Sequence, residues 1–191
     1  MTLLNPVSLC GVFWLAWANY WGWASRSVNR TKESEGFWLR LQHVLPTVFG
    51  MFLIFRNSEL ALIPLSTVIE SAYLRYFGSA VTGFGLLFTL WARMHLGKYW
   101  SGIITLKEGH RLIQTGPYKL VRHPIYTGFL AASLGSAIAS GTADAFLGFV
   151  IIVVTYVVKK QREEVILLRA FGAEYEAFQK RTPSLIPFYK R

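Results

Sequence analysis

Gly116-Pro117-Tyr118-Lys119-Leu120-Val121-Arg122-His123-Pro124-Ile125-Tyr126-Thr127-Gly128 sets Arg, His, two Tyr and two Pro against the start of a long apolar run. Proline suits the first turn of a helix, where its missing N–H needs no partner, so His123-Pro124 reads as a helix entrance. The open N–H groups of such a turn favour an anion, and Arg122 adds a fixed positive fork beside them. A second polar cluster, Arg162-Glu163-Glu164, follows the next apolar run. Ionisable groups at the edge of hydrocarbon are costly unless they find a partner or a ligand. Two such clusters flanking one helical hairpin predict a polar pocket at the rim of a bilayer.

The rest of the chain agrees with a membrane setting. Of 191 residues, 53% are hydrophobic and only 16% charged, against about 25% in a soluble domain. The net charge of +10 would suggest nucleic acid in a soluble protein. Here the basic residues alternate with apolar spans and no nucleic-acid motif appears, so they read as cytoplasmic loops beside anionic lipid. Cys10 is the single cysteine, which excludes an internal disulfide and leaves it a packing role. The N-terminal apolar stretch lacks a basic leader region and a clear cleavage site, so it is expected to remain as a span.

A helix needs about 20 apolar residues to cross a bilayer. Five candidates follow: Leu4 to Ala24, Leu41 to Phe55, Phe77 to Ala92 with an extension from Ile63, Ile125 to Ala139, and Ala145 to Val158. Gly141, Thr142 and Asp144 make the turn between the last two, an antiparallel hairpin. With five spans, Arg56 and Arg75 fall on one side, offset by Glu59 and Glu70. The other 18 of the 20 basic residues (20 minus 2) fall on the opposite side. The positive-inside rule then puts the N-terminus outside and the C-terminus in the cytoplasm. Beyond the last span, Val165, Leu168, Phe171, Tyr175 and Phe178 recur at helical steps, an amphipathic helix at the interface or over a cytoplasmic pocket. Gly172 is positioned to interrupt it, and Pro183 and Pro187 to end it.

The residues themselves leave choices open. Arg122, His123 and Tyr126, with Tyr118 upstream, suit a carboxylate; a snorkelling Arg with an interfacial His is the plainer reading. Glu163 and Glu164 could balance Lys159, Lys160 and Arg162 at the surface. Successive helical residues diverge by about 100°, however, so one of the two can face inward and hold an amine, a ribose diol or a cation. His110 sits in a cytoplasmic loop with a short extended piece, while His95 and His43 near span ends read as packing residues. No metal site is expected: no two His stand at i, i+4 and there is no Cys cluster. Asp144 is the single Asp and lies on the outer side, away from the other candidates. Gly83-Phe84-Gly85 follows no strand and reads as a close helix contact.

Several elements carry a resemblance. They are His110-Arg111-Leu112-Ile113, Gly116-Pro117-Tyr118, Arg122-His123-Pro124-Ile125-Tyr126-Thr127-Gly128, the hairpin, Glu163-Glu164, Phe171-Gly172-Ala173-Glu174-Tyr175 and Arg181-Thr182-Pro183. In order and spacing this set resembles the isoprenylcysteine carboxyl methyltransferase family, and the related phospholipid methyltransferases, over residues 93–188. The resemblance implies a methyltransferase using S-adenosylmethionine, with the cofactor in a cytoplasmic pocket closed by the C-terminal segment. By position, His110, Arg111, Leu112, Ile113, Tyr118, His123, Pro124, Ile125, Tyr126 and Glu163 would hold the cofactor. Lys159 stands where animal members have an Arg that meets the substrate; it keeps the charge without the two-pronged geometry. Arg122 and Arg181 could hold an anionic acceptor, and Glu164 or His123 would be the base if the acceptor were an amine.

The expectation is therefore an all-α integral membrane protein of about five transmembrane helices, with a C-terminal cytoplasmic amphipathic helix closing a cofactor pocket. Residues 1–92 supply three spans and 93–191 the methyltransferase core. The expected reaction is methylation of a lipophilic acceptor reached sideways from the bilayer, a carboxylate in the first place. An amine or phospholipid N-methyltransferase and a non-catalytic ligand-binding membrane protein are the alternatives. No nucleic acid and no metal enter this reading.

Overall fold

The computed structural model describes residues 5–27, 31–34, 36–56, 67–100, 105–107 and 112–189. These form seven helices: α1 (Pro6–Ala24), α2 (Phe37–Phe55), α3 (Ala72–Leu96), α4 (Pro117–Leu120), α5 (Pro124–Ser140), α6 (Ala143–Phe171) and α7 (Ala173–Arg181). A short antiparallel ribbon, β1 (Thr31–Ser34) on β2 (Thr105–Lys107), is the one departure from an all-helical body among the described residues. The helix starts follow local chemistry. The Asn5 side chain caps α1 by accepting from the Ser8 amide, Ser71 does the same for α3, and Thr142 for α6. α3 begins at Ala72, five residues before the expected Phe77; the suggested extension from Ile63 falls partly outside the described residues.

α3 and α5 pack antiparallel through small residues. A Cβ on Gly85 would meet the Gly128 carbonyl at 2.7 Å, and a Cβ on Gly78 the Gly135 carbonyl at 2.6 Å. Larger side chains at these points would push the backbones apart. Gly85 thus makes the close helix contact expected of it, while Gly83 faces the Phe13 ring at 3.3 Å. α2 and α6 meet in the same way at Gly50 and Gly148. Hydroxyls knit the interior: Thr82 lies 3.1 Å from Ser136, Cys10 3.4 Å from Thr82, and the Trp14 indole donates to Ser136 at 3.0 Å. Trp17 donates to Thr89 at 2.7 Å.

Apolar side chains lie outside. Leu15, Leu45, Phe84, Leu87 and Val154 are all more than half exposed, whereas Ser79, Thr82, Thr89 and Ser133 are fully buried. A body that turns Ser and Thr inward and Leu and Phe outward suits a hydrocarbon surround, where helix contact comes from close packing and hydrogen bonds. By length and apolar composition alone, α2 is the one described helix sufficient to cross a membrane. The inward Ser, Thr and Gly of α3 and α5 dilute the apolar character of those two.

Two sequence expectations change toward the C-terminus. The fifth apolar run does not stop at Val158: α6 continues for 29 residues to Phe171. At 1.5 Å per residue it is about 43 Å long, more than a hydrocarbon core needs, so Glu163 and Glu164 ride on a projecting rod. The amphipathic face expected from Val165 to Phe178 is also divided. Gly172, at φ 50°, breaks the helix, and α7 starts afresh. Tyr175 and Phe178 are buried, but Val165 and Leu168 are 49% and 38% exposed.

Candidate functional site

The inner ends of α5 and α6 meet. Arg122 and His123 immediately precede α5, and Glu163 and Glu164 project from α6 toward them. The Glu164 carboxylate is the junction. Its Oε1 accepts from Arg122 Nη2 at 2.7 Å, Arg122 Nε at 3.1 Å and the Ser184 hydroxyl at 3.4 Å, and lies 3.0 Å from His123 Nε2. The other ring nitrogen of His123, Nδ1, lies 3.5 Å from Glu163 Oε2. One imidazole therefore stands between two carboxylates.

The charges stabilise one another. Burial opposes the charged form of His123, but the two flanking carboxylates outweigh it and raise its pKa. Burial likewise pushes Glu164 upward, yet the hydrogen bonds and charges of His123 and Arg122 bring it down to about 2. Glu163 is lowered too: burial opposes this, and His123, with Tyr126 and Lys159, prevails. The cluster thus sets an imidazole biased toward its charged form and a guanidinium against two carboxylates biased toward theirs.

This corrects the reading of the helix entrance. The anion engaged by Arg122 and His123 is Glu164 itself. The Arg122 fork is fully used: besides Glu164, Nη1 donates to the carbonyls of Thr182 at 2.6 Å and Gln179 at 3.2 Å. The Arg122 and His123 amides donate to the carbonyls of Pro183 at 2.9 Å and Ser184 at 3.1 Å. The segment after α7 is thus strapped across the entrance of α5. Gln114 ties the opposite loop to α7 through Glu174 at 3.1 Å.

Beside this junction, against α7, lies a cavity. Of the residues singled out in the sequence, Leu112, Ile113, Tyr118, Arg122, His123, Pro124, Ile125, Tyr126 and Glu163 line it. Leu96, Tyr99, Trp100, Leu167, Tyr175 and Phe178 complete the wall. Of these, only Tyr175 and Phe178 had a sequence signal, through the helical repeat of the tail. Gly116 brings Tyr118 into place: it adopts φ 57°, and a Cβ there would strike the His95 ring. Burial holds the Tyr118 and Tyr175 phenols in their neutral form by raising their pKa values. Glu163 Oε2 and the Tyr175 hydroxyl are buried without a hydrogen-bond partner. An acceptor oxygen, a phenol and aromatic rings together suit a ligand with hydroxyl or amino groups and a flat ring system.

Besides Glu164, four expected site residues lie apart from that cavity or outside the described residues. Arg181 is exposed, 5.8 Å from the Phe178 ring, and does not line the cavity. His110 and Arg111 fall outside the described residues. Lys159 is buried on α6, its ammonium 5.4 Å from the Tyr126 ring and 5.8 Å from the Tyr156 ring. It lines a separate groove between α2 and α6, with His43, Pro46, Val150, Val154 and Val158. Lys159 thus stands between that groove and Tyr126, which belongs to the cavity wall. Among the described residues no group of three or more His, Cys, Asp or Glu converges as a metal site would require.

Comparison with known proteins follows the same outline. The profile of the isoprenylcysteine carboxyl methyltransferase (ICMT) family matches residues 79–169. The chain is 29% identical over 115 residues to protein-S-isoprenylcysteine O-methyltransferase B of Arabidopsis thaliana, covering 59% of this chain and 58% of that protein. It is 28% identical over 163 residues to the probable protein-S-isoprenylcysteine O-methyltransferase of Oryza sativa subsp. indica, covering 84% and 83%. The corresponding protein of Schizosaccharomyces pombe is 33% identical over 99 residues, 50% of this chain and 42% of that one. Among solved structures, the eukaryotic intramembrane Ras methyltransferase ICMT superposes with a TM-score of 0.60 at 23% identity, a likeness of fold. That match covers 78% of this chain and 53% of the solved one, so this chain spans about half the length of that protein.

Proposed function

The chain belongs to the isoprenylcysteine carboxyl methyltransferase family, and on that premise we propose that it is a membrane methyltransferase that uses S-adenosylmethionine to esterify the carboxylate of an isoprenylcysteine-type acceptor. The observation that carries the O-methyl assignment is the imidazole held between two carboxylates. An amine acceptor must lose a proton, and the two candidate bases are His123 and Glu164. His123 is held between two carboxylates that favour its charged form, and Glu164, near a pKa of 2, is spent on three partners. A carboxylate acceptor brings its own lone pair and needs no base. The site favours the substrate that makes no demand for one.

The residues fit the cofactor. Bound S-adenosylmethionine supplies an electrophilic methyl group on a sulfonium. Glu163 offers a buried acceptor oxygen to its hydroxyl or amino groups, Tyr118 and Tyr175 offer neutral phenols, and Trp100 and Tyr126 offer ring faces. Leu112, Ile113, Pro124 and Ile125 keep water from the wall. His110 and Arg111 are assigned to the same wall by family resemblance. In this reading Arg122 and Glu164 are positioning residues: they hold the strap and His123, and His123 holds Glu163. Arg181 retains only a peripheral role toward an anionic acceptor.

The acceptor arrives from the lipid. The groove between α2 and α6 has an apolar floor for an isoprenoid chain, and Lys159 at its inner end offers a positive charge to a carboxylate. The exposed apolar faces support five spanning helices, α1, α2, α3, α5 and α6, with α4 and α7 at the cytoplasmic surface. The basic loops support an external N-terminus and a cytoplasmic site. Residues 1–92 then form the scaffold and 93–191 the transferring unit, closed by α7 and its strap.

The test uses the purified protein in lipid nanodiscs, tritiated S-adenosylmethionine and N-acetyl-S-farnesylcysteine. Base-labile label released as methanol is expected. Base-stable label on lipid or amine would replace this reading with N-methylation, and absence of S-adenosylhomocysteine binding would favour a non-catalytic protein.

A further inference from the structure

The strap continues along α5 beyond the Arg122–His123 junction. Pro183 and Ser184 bind the amides of Arg122 and His123, and the Leu185 carbonyl accepts from the Thr127 hydroxyl at 2.7 Å. Successive residues of the strap therefore climb from the cap of α5 to its first turn, the level at which α5 enters the apolar layer. There the chain turns, with the Tyr189 amide donating to the Ile186 carbonyl at 3.3 Å. Phe188 occupies φ 66°, which bulky residues seldom adopt. Its ring is 95% exposed, and Ile186 and Tyr189 beside it are 64% and 60% exposed. Among the described residues, the turn tip carries three large apolar groups that are mostly uncovered.

Next to the tip is a recess of about 560 Å³. Lys160 and Lys180 line it with Glu176, Gln179, Ser184 and Tyr189. Arg122 also reaches it, with its fork already engaged by Glu164 and two carbonyls. Two lysines against one glutamate leave the recess positive. Aromatic tips beside lysines are the composition of a segment resting at a membrane interface.

The geometry points to a lipid-docking site: Ile186, Phe188 and Tyr189 seat in the head-group boundary of the cytoplasmic leaflet, while Lys160 and Lys180 hold the phosphate of an anionic phospholipid in the recess. This rests on the membrane orientation proposed above, but not on methyl transfer. Since the strap follows directly on α7, whose Tyr175 and Phe178 wall the cavity, a docked tip also steadies that wall.

The test places an environment-sensitive NBD label on Phe188→Cys, with Cys10→Ala leaving one thiol, in nanodiscs of phosphatidylcholine alone or with 30% phosphatidylserine. Blue-shifted emission, quenched by shallow spin-labelled lipid and protected from aqueous iodide, is expected, with a further shift when phosphatidylserine is present. Emission open to iodide in both compositions would overturn the docking site, as would protection from both quenchers, which indicates a protein contact. Lys160→Glu with Lys180→Glu should abolish the phosphatidylserine effect while the tip stays protected from iodide. A phosphatidylserine shift that survives both changes would overturn the assignment of the phosphate to these lysines. Because the label reports depth and not turnover, a protein that fails to methylate any acceptor still gives a decisive result here.

Discussion

The two ends of the α5–α6 hairpin each set arginine against carboxylate, and they do so to different ends. At the outer end Arg56 pairs with Asp144, with side chains only 4% and 9% exposed. Arg75 donates to the Ala139 carbonyl at 2.8 Å, and the amides of Val68 and Ile69 close on Gly141. The polar groups there face one another. At the inner end one carboxylate oxygen gathers three side chains, a second carboxylate stands across the imidazole, and Glu163 and Tyr175 line a cavity with Glu163 Oε2 and the Tyr175 hydroxyl making no hydrogen bond among the described residues. Buried polar atoms without partners are costly. A protein that satisfies them at one end and leaves them open at the other marks the second end as the place where something binds.

The sharpest way to break this contrast is Glu164→Ala. It strands the Arg122 and His123 charges and unfastens the strap, so about 3 kcal/mol of stability should be lost. S-adenosylhomocysteine affinity should fall about 100-fold by calorimetry, corresponding to about 2.7 kcal/mol. Asp144→Ala should also lower stability in denaturation, by removing the carboxylate buried against Arg56. Its kcat/KM per folded molecule should nevertheless match the parent; a matching fall in kcat/KM would erase the distinction between the ends. Glu163→Gln should do the reverse, with a melting temperature near that of the parent and cofactor affinity lower by about tenfold.

The pH dependence sharpens the comparison further. The raised pKa of His123 contributes stability fully present below its ordinary 6.5 and lost as pH climbs through the raised value. The lowered pKa of Glu164 contributes stability present above its ordinary 4.5 and lost as pH falls toward about 2. Hydrogen exchange at the Arg122 and His123 amides should therefore be slowest between about pH 4.5 and 6.5, after correction for intrinsic rates. It should accelerate on the alkaline side, and His123→Phe should flatten that limb. The smallest effect belongs to Arg181→Ala: an exposed side chain on the Phe178 ring should alter turnover less than about twofold.

Much of the inner end was legible before any coordinates. Pro124 after His123 announced the entrance of α5, the Gly141 turn brought α6 back, and the run from Tyr118 to Tyr126 with Glu163 fell on the cavity wall. The roles within that group were not legible. Arg122 and Glu164 looked like ligand-binding residues because a sequence records charges but not the backbone carbonyls that consume them. Leu96, Tyr99 and Trp100 gave no sign because their place depends on how the chain leaves α3 after Gly97. On α6 the apolar repeat at Val165 and Leu168 pointed to burial. The helix instead ran on unbroken from the membrane, so its own phase put Leu167 on the wall and those two outside. At the outer end the sequence offered Glu59 and Glu70 only as charges offsetting Arg56 and Arg75; that Asp144 reaches Arg56 from across the turn needed the fold.

The glycine contacts between α3 and α5 carry one more implication. Gly78 faces Gly135 and Gly85 faces Gly128, two notches seven residues apart on each rod. Sliding one rod along the other by a single turn would drive side chains into carbonyls at both notches, and the next matching alignment is about 10.5 Å away. The pair behaves as a keyed shaft without intermediate stops. Piston-like travel of these helices is closed to the protein, and opening and shutting for each round of exchange fall to the parts that hang outside the key.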